Sequence, residues 1–139
     1  MESPLITVIT VSYNAASSIE QTIISVINQT YPHIEYIIID GGSTDNTVDI
    51  IKKYADKISY WVSEPDKGIY DAMNKGIKIA AGKYTLFMNV NDTFYASSSI
   101  AEVCNLMEKY DSQHDAYYGN VAVSNEYGLY ICLLYTSPS

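Results

Sequence analysis

The sequence has few basic residues, few cysteines and no long apolar run. Sixteen acidic residues against eight basic ones give a formal net charge of -8 at pH 7, and no arginine-rich patch is present. Nucleic-acid binding needs clustered Lys and Arg, so this composition argues against a nucleic-acid partner. A bound anionic diphosphate would have to be met by a metal ion, by backbone N–H groups or by a lysine such as Lys67.

The scarcity of cysteine and of apolar runs bears on the compartment. Cys104 and Cys132 fit no zinc or redox spacing, which favours a reducing compartment. Apolar runs such as Tyr36 to Ile39 are too short to cross a bilayer, and Met1-Glu2 does not begin a signal peptide. We therefore expect a cytoplasmic chain with no membrane segment, for which any membrane association would come through partners.

What the chain does contain is strand-forming sequence that alternates with helical periodicity. Its 139 residues, 47% of them hydrophobic, fit a single domain. The alternation predicts an α/β domain of Rossmann-like type, with a mainly parallel sheet flanked by helices. The predicted strands are Leu5 to Ser12, Ile34 to Asp40, Ser59 to Ser63, Tyr84 to Met88 and Ala116 to Val123.

Capping patterns and apolar periodicity predict the helices. Ser17 or Ser18, each with Glu or Gln three residues later, predicts a capping box for the first helix. Thr44 or Asp45 is expected to cap the second. A third helix carries Ile69, Ala72, Met73, Gly76, Ile77 and Ala80 on one face, where Gly76 indicates close packing, and Ser99 with Glu102 caps a fourth.

Polar side chains follow three of the predicted strands. Asn14 follows the first, Asp40 closes the second, and Asn89, Asn91 and Asp92 follow the fourth. Ligands of open α/β sheets bind in the crevice beyond the carboxyl ends of the strands, where these residues should converge. A carboxylate flanked by amides could hold a divalent cation against a diphosphate. The alternative for each residue is a turn, which Asn and Asp favour by bonding their own backbone.

Several common sites are excluded by their missing motifs. The turn after the first strand, YNAASS, has no glycine for a dinucleotide pyrophosphate, and no Gly-Lys-Ser/Thr triplet forms a phosphate-binding loop. There is no nucleophile elbow, and His33 and His114 lie in polar, loop-like contexts. The site must therefore be of another kind.

The segments VSYNAASSIEQTIISVINQTYPHIEYIIIDGGSTDNT and SEPDKGIYDAMNKGIKIAAGKYTLFMNVND resemble the nucleotide-binding half of the family 2 glycosyltransferases, which have the GT-A fold. The similarity spans about Pro4 to Asn125. It implies transfer of a sugar from a nucleoside diphosphate sugar to a glycan or lipid-linked acceptor, with inversion, as in polysaccharide biosynthesis. It also implies a divalent cation, Mg²⁺ or Mn²⁺, as cofactor.

The resemblance gives roles to donor-binding residues and to one metal ligand. It places Ser12, Tyr13 and Asn14 near the base, Asp40 at the nucleoside, and Asp66, Lys67 and Gly68 beside the donor. Asn91 and Asp92 take the place of the family's acidic metal motif, with Asp92 as the metal ligand. Asn91 is a departure, since the family usually has an acid there.

The ends of the resemblance predict the domain organisation. The acceptor-binding segment and the general base of the family follow the region seen here, so residues 1–131 are expected to be the nucleotide-sugar-binding part of an incomplete GT-A domain. Residues 132–139, CLLYTSPS, resemble the translation of a sequencing-library adapter and are predicted to be a non-native tail. The alternative is a genuine apolar tail that packs on the sheet.

Three classes of function follow. The first is a metal-dependent glycosyltransferase represented by its donor-binding half. The second is a non-catalytic nucleotide-binding module, and the third is a purely structural α/β fragment.

Overall fold

The computed structural model describes residues 4–94, 96–110 and 133–136. The predicted strand Ala116 to Val123 lies outside them. The elements in chain order are β1 (Ile6–Ser12), α1 (Ile19–Ile27), β2 (Ile34–Asp40), α2 (Thr47–Lys53), a 3-10 turn (Ala55–Lys57), β3 (Tyr60–Ser63), α3 (Ile69–Ile79), β4 (Tyr84–Phe87), α4 (Ser99–Tyr110) and β5 (Leu133–Thr136).

These strands form one sheet in the order β3-β2-β1-β4-β5. The first four are parallel, and β5 runs antiparallel to β4. Ser12 pairs with Asp40, and Asp40 pairs with Ser63, so β1, β2 and β3 end at the same level. The prediction of a mainly parallel α/β sheet flanked by helices is confirmed.

β5 consists of four residues from the segment predicted to be a non-native tail. An edge strand exposes unpaired N–H and C=O groups that another extended segment can join. Leucine, tyrosine and threonine suit such a segment whatever its origin. The pairing therefore leaves the origin of residues 132–139 a prediction, which the underlying nucleotide sequence would test.

The core lies on both faces of the sheet because side chains alternate along each strand. Ile6 and Val8 of β1 pack in a cluster with Ile19 and Ile23 of α1. Ile9 and Val11 pack on the opposite face, in a cluster that also holds residues of β2 and α3. All seven residues of β1 are buried, which explains why its sequence shows no regular polar alternation.

Close packing at Gly76 is confirmed. A Cβ atom on Gly76 would lie 2.8 Å from Cγ2 of Ile9, so only glycine lets α3 approach β1 this closely. The described residues contain no helix with the length and apolarity needed to cross a bilayer.

The predicted caps are partly wrong. Ser18 precedes α1, but its side chain makes no capping hydrogen bond. The carbonyl of Ala15 already accepts from the N–H groups of Ser18 and Ile19, so the chain enters the helix through a backbone turn. Asn46 directly precedes α2 and makes no side-chain capping bond, but the predicted Asp45 accepts from the N–H of Thr47, the first residue of the helix. At α4 the side-chain partner of Glu102 is Ser98 instead of Ser99.

Candidate functional site

A cleft of about 680 Å³ opens at the carboxyl ends of the parallel strands. Loops after all four of these strands contribute to it, together with the start of α3. Its lining includes Ser12 and Tyr13 after β1, Gly41 and Gly42 after β2, Pro65, Asp66 and Gly68 after β3, and Val90 after β4. The cleft therefore occupies the sheet edge at which ligands of open α/β sheets bind.

Asp40 lies beneath this cleft as a fully buried carboxylate. Its Oδ1 accepts from the hydroxyls of Ser12 at 2.7 Å and Ser43 at 2.6 Å. Its Oδ2 accepts from the N–H groups of Gly42 and Ser43, at 3.1 and 2.8 Å, and from the Ser63 hydroxyl at 2.8 Å. Asp40 thus ties the ends of β1, β2 and β3 together.

The electrostatics of Asp40 follow from these contacts. Burial raises the pKa of its carboxyl group, but the hydrogen bonds from Ser43, Ser12 and Ser63 outweigh burial, and the net pKa lies below its ordinary value of 3.8. An N–H of a nucleotide base would have to replace one of the five present donors. The predicted contact between Asp40 and the nucleoside stays a prediction, beside a structural role that the sequence did not reveal.

Asn14 also uses its side chain within the protein. Its φ of 46° turns the chain after β1. Its Oδ1 accepts from the Thr44 N–H at 2.8 Å, and its own N–H donates to Ser43 Oγ at 2.8 Å. Asn14 therefore holds the loop after β1 to the loop after β2, and it is absent from the residues that line the cleft.

Asp45 strengthens the same junction. Its Oδ1 accepts from the Thr47 N–H and hydroxyl, and its Oδ2 accepts from the Ala16 N–H. The Thr47 hydroxyl contact is the main reason that the pKa of Asp45 lies below its ordinary value. Thr47 Oγ1 also accepts from the Ala15 N–H at 2.8 Å. The two loops are therefore joined at several points.

Tyr13 is the aromatic residue that the cleft presents to solvent. Its side chain is 63% exposed, whereas the neighbouring Ser12 is buried and donates to Asp40. An exposed ring at the rim of a cleft can stack on a planar base. Of the three residues placed near the base by resemblance, Tyr13 is the one whose side chain is free for this.

The loop before α3 brings a second carboxylate to the cleft. Asp66 Oδ1 accepts from the Gly68 N–H at 3.0 Å, and the Lys67 N–H donates to Asp71 Oδ2 at 2.9 Å. Gly68 has a φ of 115°, a conformation that side chains rarely adopt. Lys67 is exposed and is not among the lining residues.

The segment after β4 carries the predicted metal ligand. Asn91 has a φ of 80°. Val90 lines the cleft, whereas Asn91 and Asp92, which follow it in the chain, are not among the lining residues. Asp92 is exposed, and the partial desolvation of its carboxyl group raises its pKa above the ordinary value of 3.8. No described side chain or backbone group donates to its carboxylate. Within the described part of the chain, no group of three or more His, Cys, Asp or Glu side chains could hold a metal by itself.

The donor set fits a hard cation only in part. A single carboxylate with free lone pairs, beside amide oxygens, suits Mg²⁺ or Mn²⁺ when substrate phosphates and water complete the coordination. The residues present therefore fit a cation that arrives with a diphosphate, rather than one held by the protein alone.

Sequence reasoning missed two sets of polar residues around the site. Ser43 and Ser63 donate to Asp40, and the pairing of Ser63 with Asp40 in the sheet is known only from the fold. The other set, Thr22, Ser25 and Gln29, is spaced three and four residues apart beside the apolar face of α1. That spacing is a signal, because polar residues at helical intervals among buried isoleucines need partners.

Comparisons with known proteins agree with this architecture. The sequence model of the family described as Glycosyl transferase family 2 matches residues 7–131, so the chain belongs to this family. It is 32% identical over 124 residues to a PGL/p-HBAD biosynthesis glycosyltransferase of Mycobacterium bovis BCG, an alignment that covers 87% of this chain and 48% of the relative. The chain thus spans about half the length of this curated relative.

Solved structures show the same fold. S. aureus TarS 1-349 in complex with UDP superposes with a TM-score of 0.72 at 25% identity, over 81% of this chain and 34% of the TarS 1-349 chain. A mannosyltransferase from Pyrobaculum calidifontis, in complex with GDP-Man and Mn²⁺, gives a TM-score of 0.73 at 22% identity, over 88% of this chain and 36% of the other. The parallel four-stranded sheet flanked by helices is that of GT-A glycosyltransferases.

Proposed function

We propose that this chain is the donor-binding part of an inverting glycosyltransferase of polysaccharide biosynthesis. It would act in the cytoplasm on a nucleoside diphosphate sugar and a glycan or lipid-linked acceptor. The observation that carries the proposal is the cleft at the carboxyl ends of four parallel strands, whose volume of about 680 Å³ lies in the range of small-molecule sites.

The base side of the cleft is apolar with an exposed aromatic ring. Tyr13 offers that ring, and Val11 and Pro65 line the cleft beside it. Stacking on an aromatic face accepts any base, so base selection requires a polar group as well. Asp66 is the carboxylate among the lining residues, and it can accept from a base N–H.

On the diphosphate side of the cleft, negative charge on the protein would repel the diphosphate unless a cation were bound. The N-terminus of α3 favours anions, but the Lys67 and Gly68 N–H groups there already donate to Asp71 and Asp66. A diphosphate near these carboxylates would be repelled unless a cation accompanied it. The exposed Lys67 and a divalent cation held by Asp92, with Asn91 beside it, would supply that positive charge.

When bound, the cation stabilises the negative charge that develops on the leaving diphosphate. The protein's own part is to orient the donor, with Tyr13 on the base and Asp66 at its edge. Inversion also needs a base that deprotonates the acceptor hydroxyl, and that role is assigned to none of the described residues. The fold and ligands of the two solved neighbours, UDP in one and GDP-Man with Mn²⁺ in the other, support the donor side of this proposal.

A thermal-shift screen of UDP and GDP, each with and without Mn²⁺, tests donor binding. A ligand at 100 times its Kd stabilises the native state by about 2.7 kcal/mol, which is a clear rise in Tm. No shift with any nucleoside diphosphate would contradict the proposal. AMP is a suitable control, since it carries a single phosphate.

A non-catalytic nucleotide-binding module is the second candidate. It is favoured by the single acid in the metal motif. Release of nucleoside diphosphate from a sugar donor, measured with and without acceptor, separates the two. Release above the hydrolysis rate indicates transfer, whereas nucleotide binding without such release indicates the module.

A further inference from the structure

The face of α1 that carries Thr22 and Ser25, extended by Gln29 just beyond the helix end, forms a polar stripe against the segment after β4. Thr22 is fully buried, and its Oγ1 donates to the backbone carbonyl of Asp92 at 2.8 Å. Ser25 Oγ accepts from the Phe94 N–H at 3.3 Å and donates to the Thr22 carbonyl at 3.0 Å. Two side chains of one helix thus hold two backbone groups of the segment that carries the predicted metal ligand.

Gln29 fixes the other end of the same segment. Its Nε2 donates to the Ala96 carbonyl at 2.9 Å, and its Oε1 accepts from the Ile100 N–H at 2.9 Å. The Thr30 N–H adds a bond to the Ser97 carbonyl at 2.8 Å. The path from Asp92 to the start of α4 is therefore bound at five backbone positions to α1 and to the residues just after it.

We infer that this polar stripe, Thr22, Ser25 and Gln29, is a positioning device that aims the Asp92 carboxylate at the donor cleft, an inference that rests on the proposed function. The carbonyl carbon held by Thr22 is bonded directly to the Cα of Asp92. With the backbone fixed there, the carboxylate can reach only the places that its staggered χ1 rotamers allow. A metal site with one carboxylate depends more on the position of that carboxylate than a site with two, because no second acid can bind the metal if the first is misplaced.

A purely structural role is the competing explanation. Phe94 is buried in the core, so its packing also anchors the segment, and the stripe would then only satisfy buried backbone groups. The two roles differ in what a mutation changes. A structural role lowers stability alone, whereas a positioning role lowers the thermodynamic coupling between metal and nucleotide.

The test compares Thr22→Val and Ser25→Ala with a matched control. Thr10 is also fully buried, and its hydroxyl bonds to the Tyr36 hydroxyl at 2.8 Å, away from the segment after β4. Thr10→Val therefore removes a buried threonine hydroxyl of the same kind without touching Asp92. The coupling is the ratio of the UDP dissociation constants without and with Mn²⁺, measured by calorimetry on the full chain.

Thr22→Val should leave UDP affinity without Mn²⁺ within about twofold and reduce the coupling by about 2- to 10-fold, the effect of one lost hydrogen bond. Thr10→Val should leave the coupling unchanged. Unchanged coupling in Thr22→Val, or an equal loss in Thr10→Val, would overturn the inference. A wild-type protein that binds UDP with no Mn²⁺ coupling would overturn it too, while the nucleotide site of the proposed function would stand.

Amide hydrogen exchange tests, without any ligand, whether these side chains hold the segment, which the inference requires. The Phe94 amide should exchange faster in Thr22→Val and in Ser25→Ala, but not in Thr10→Val. Unchanged exchange of this amide in both variants contradicts the positioning role even if the wild type binds UDP. Conversely, absence of UDP and GDP binding with faster exchange at Phe94 would contradict the proposed function and leave the structural contact intact.

Discussion

The carboxylate of Asp66 lies against the backbone of Gly41, with Oδ2 2.8 Å from the position that a Cβ atom on Gly41 would occupy. Gly41 is outside the left-handed region of φ, so backbone conformation does not require glycine at this position. What requires it is room for the Asp66 side chain. Gly41, the first residue after β2, thus determines where the Asp66 carboxylate of the β3–α3 loop lies in the cleft.

Gly41→Ala should weaken nucleotide binding by about 1–2 kcal/mol while changing the free energy of unfolding by less than about 1 kcal/mol. The added methyl group meets the end of a flexible side chain, which can rotate at little cost, but its carboxylate then leaves its place in the cleft. Calorimetric titration with UDP or GDP measures the affinity, and urea denaturation measures the stability.

The control for Gly41→Ala is the same change in an Asp66→Ala background. With the carboxylate absent, the extra methyl group has nothing to displace, and the two effects on affinity should be strongly non-additive. Additive losses would show that Gly41 acts on the nucleotide by a route other than Asp66.

Asp40→Asn should destabilise the protein by about 2–3 kcal/mol at pH 7. The amide nitrogen of the new Asn cannot accept from the donors that one Asp40 oxygen now accepts from. The negative charge that strengthens the remaining hydrogen bonds is also lost. Because the folded pKa of Asp40 lies below 3.8, its contribution to stability is complete above pH 3.8 and is lost as the pH falls through the folded pKa. The difference between the two proteins should therefore shrink in acid.

Ser63→Ala is the milder control for Asp40. It removes one of five donors and should cost about 1 kcal/mol, with both proteins compared by urea denaturation at pH 7 and pH 3. Equal stability of Asp40→Asn and wild type at pH 7 would contradict the structural role. A folded Asp40→Asn protein whose nucleotide affinity falls by about 1.5–3 kcal/mol would instead support the predicted contact with the base.

Asp92→Asn should make the ligand-free protein more stable at neutral pH. Partial desolvation raises the folded pKa of Asp92, so its charged form costs folding free energy as the pH rises from 3.8 through the folded pKa, but the cost is small because the residue is exposed to screening solvent. The uncharged amide avoids that cost. Thermal unfolding at pH 7 and at pH 3 should show a gain at pH 7 that disappears in acid, and a loss at pH 7 would contradict this account.

The same variant should lose the coupling between Mn²⁺ and nucleotide, because Asp92 is the predicted protein ligand. Asn91→Asp should have the opposite effect, since a second acid would let Mn²⁺ bind without nucleotide. Calorimetry on the wild type and both variants measures these affinities. Tight Mn²⁺ binding by Asp92→Asn would rule out the assignment of the metal ligand.

Gly76→Ala should destabilise the protein by about 1–3 kcal/mol, because its methyl group would overlap Cγ2 of Ile9 in a well-packed layer between α3 and β1. Asn74→Ala, an exposed position on the same helix, is the control and should be neutral or slightly stabilising. Urea denaturation of the two variants checks this. Equal stability of Gly76→Ala and wild type would mean that the layer can move apart at no cost.

Much of the framework was predictable from local pattern. The bounds of β2 agree with the prediction, and those of β1 and β4 differ by one residue at one end, because uninterrupted β-branched and aromatic runs identify strands buried on both faces. The packed face of α3 and the close contact at Gly76 followed from helical periodicity, but Ile69, predicted on that face, is 51% exposed and lines the cleft. The cap of α1 did not, because a turn closed by the Ala15 carbonyl leaves no role for a serine hydroxyl that propensity alone favours.

The sequence by itself determined the α/β class, the alternation of elements and the polar residues that end the strands, since these depend on neighbours within a few positions. Only the tertiary structure decided what those residues do. Besides its near neighbours Gly42 and Ser43, Asp40 accepts from Ser12 and Ser63, which lie 28 and 23 residues away in the chain. The Asp92 carboxylate accepts from no described group, and its backbone carbonyl accepts from Thr22, 70 residues before it. Such partners meet only when the sheet order and the packing of α1 are set, and no local pattern encodes either.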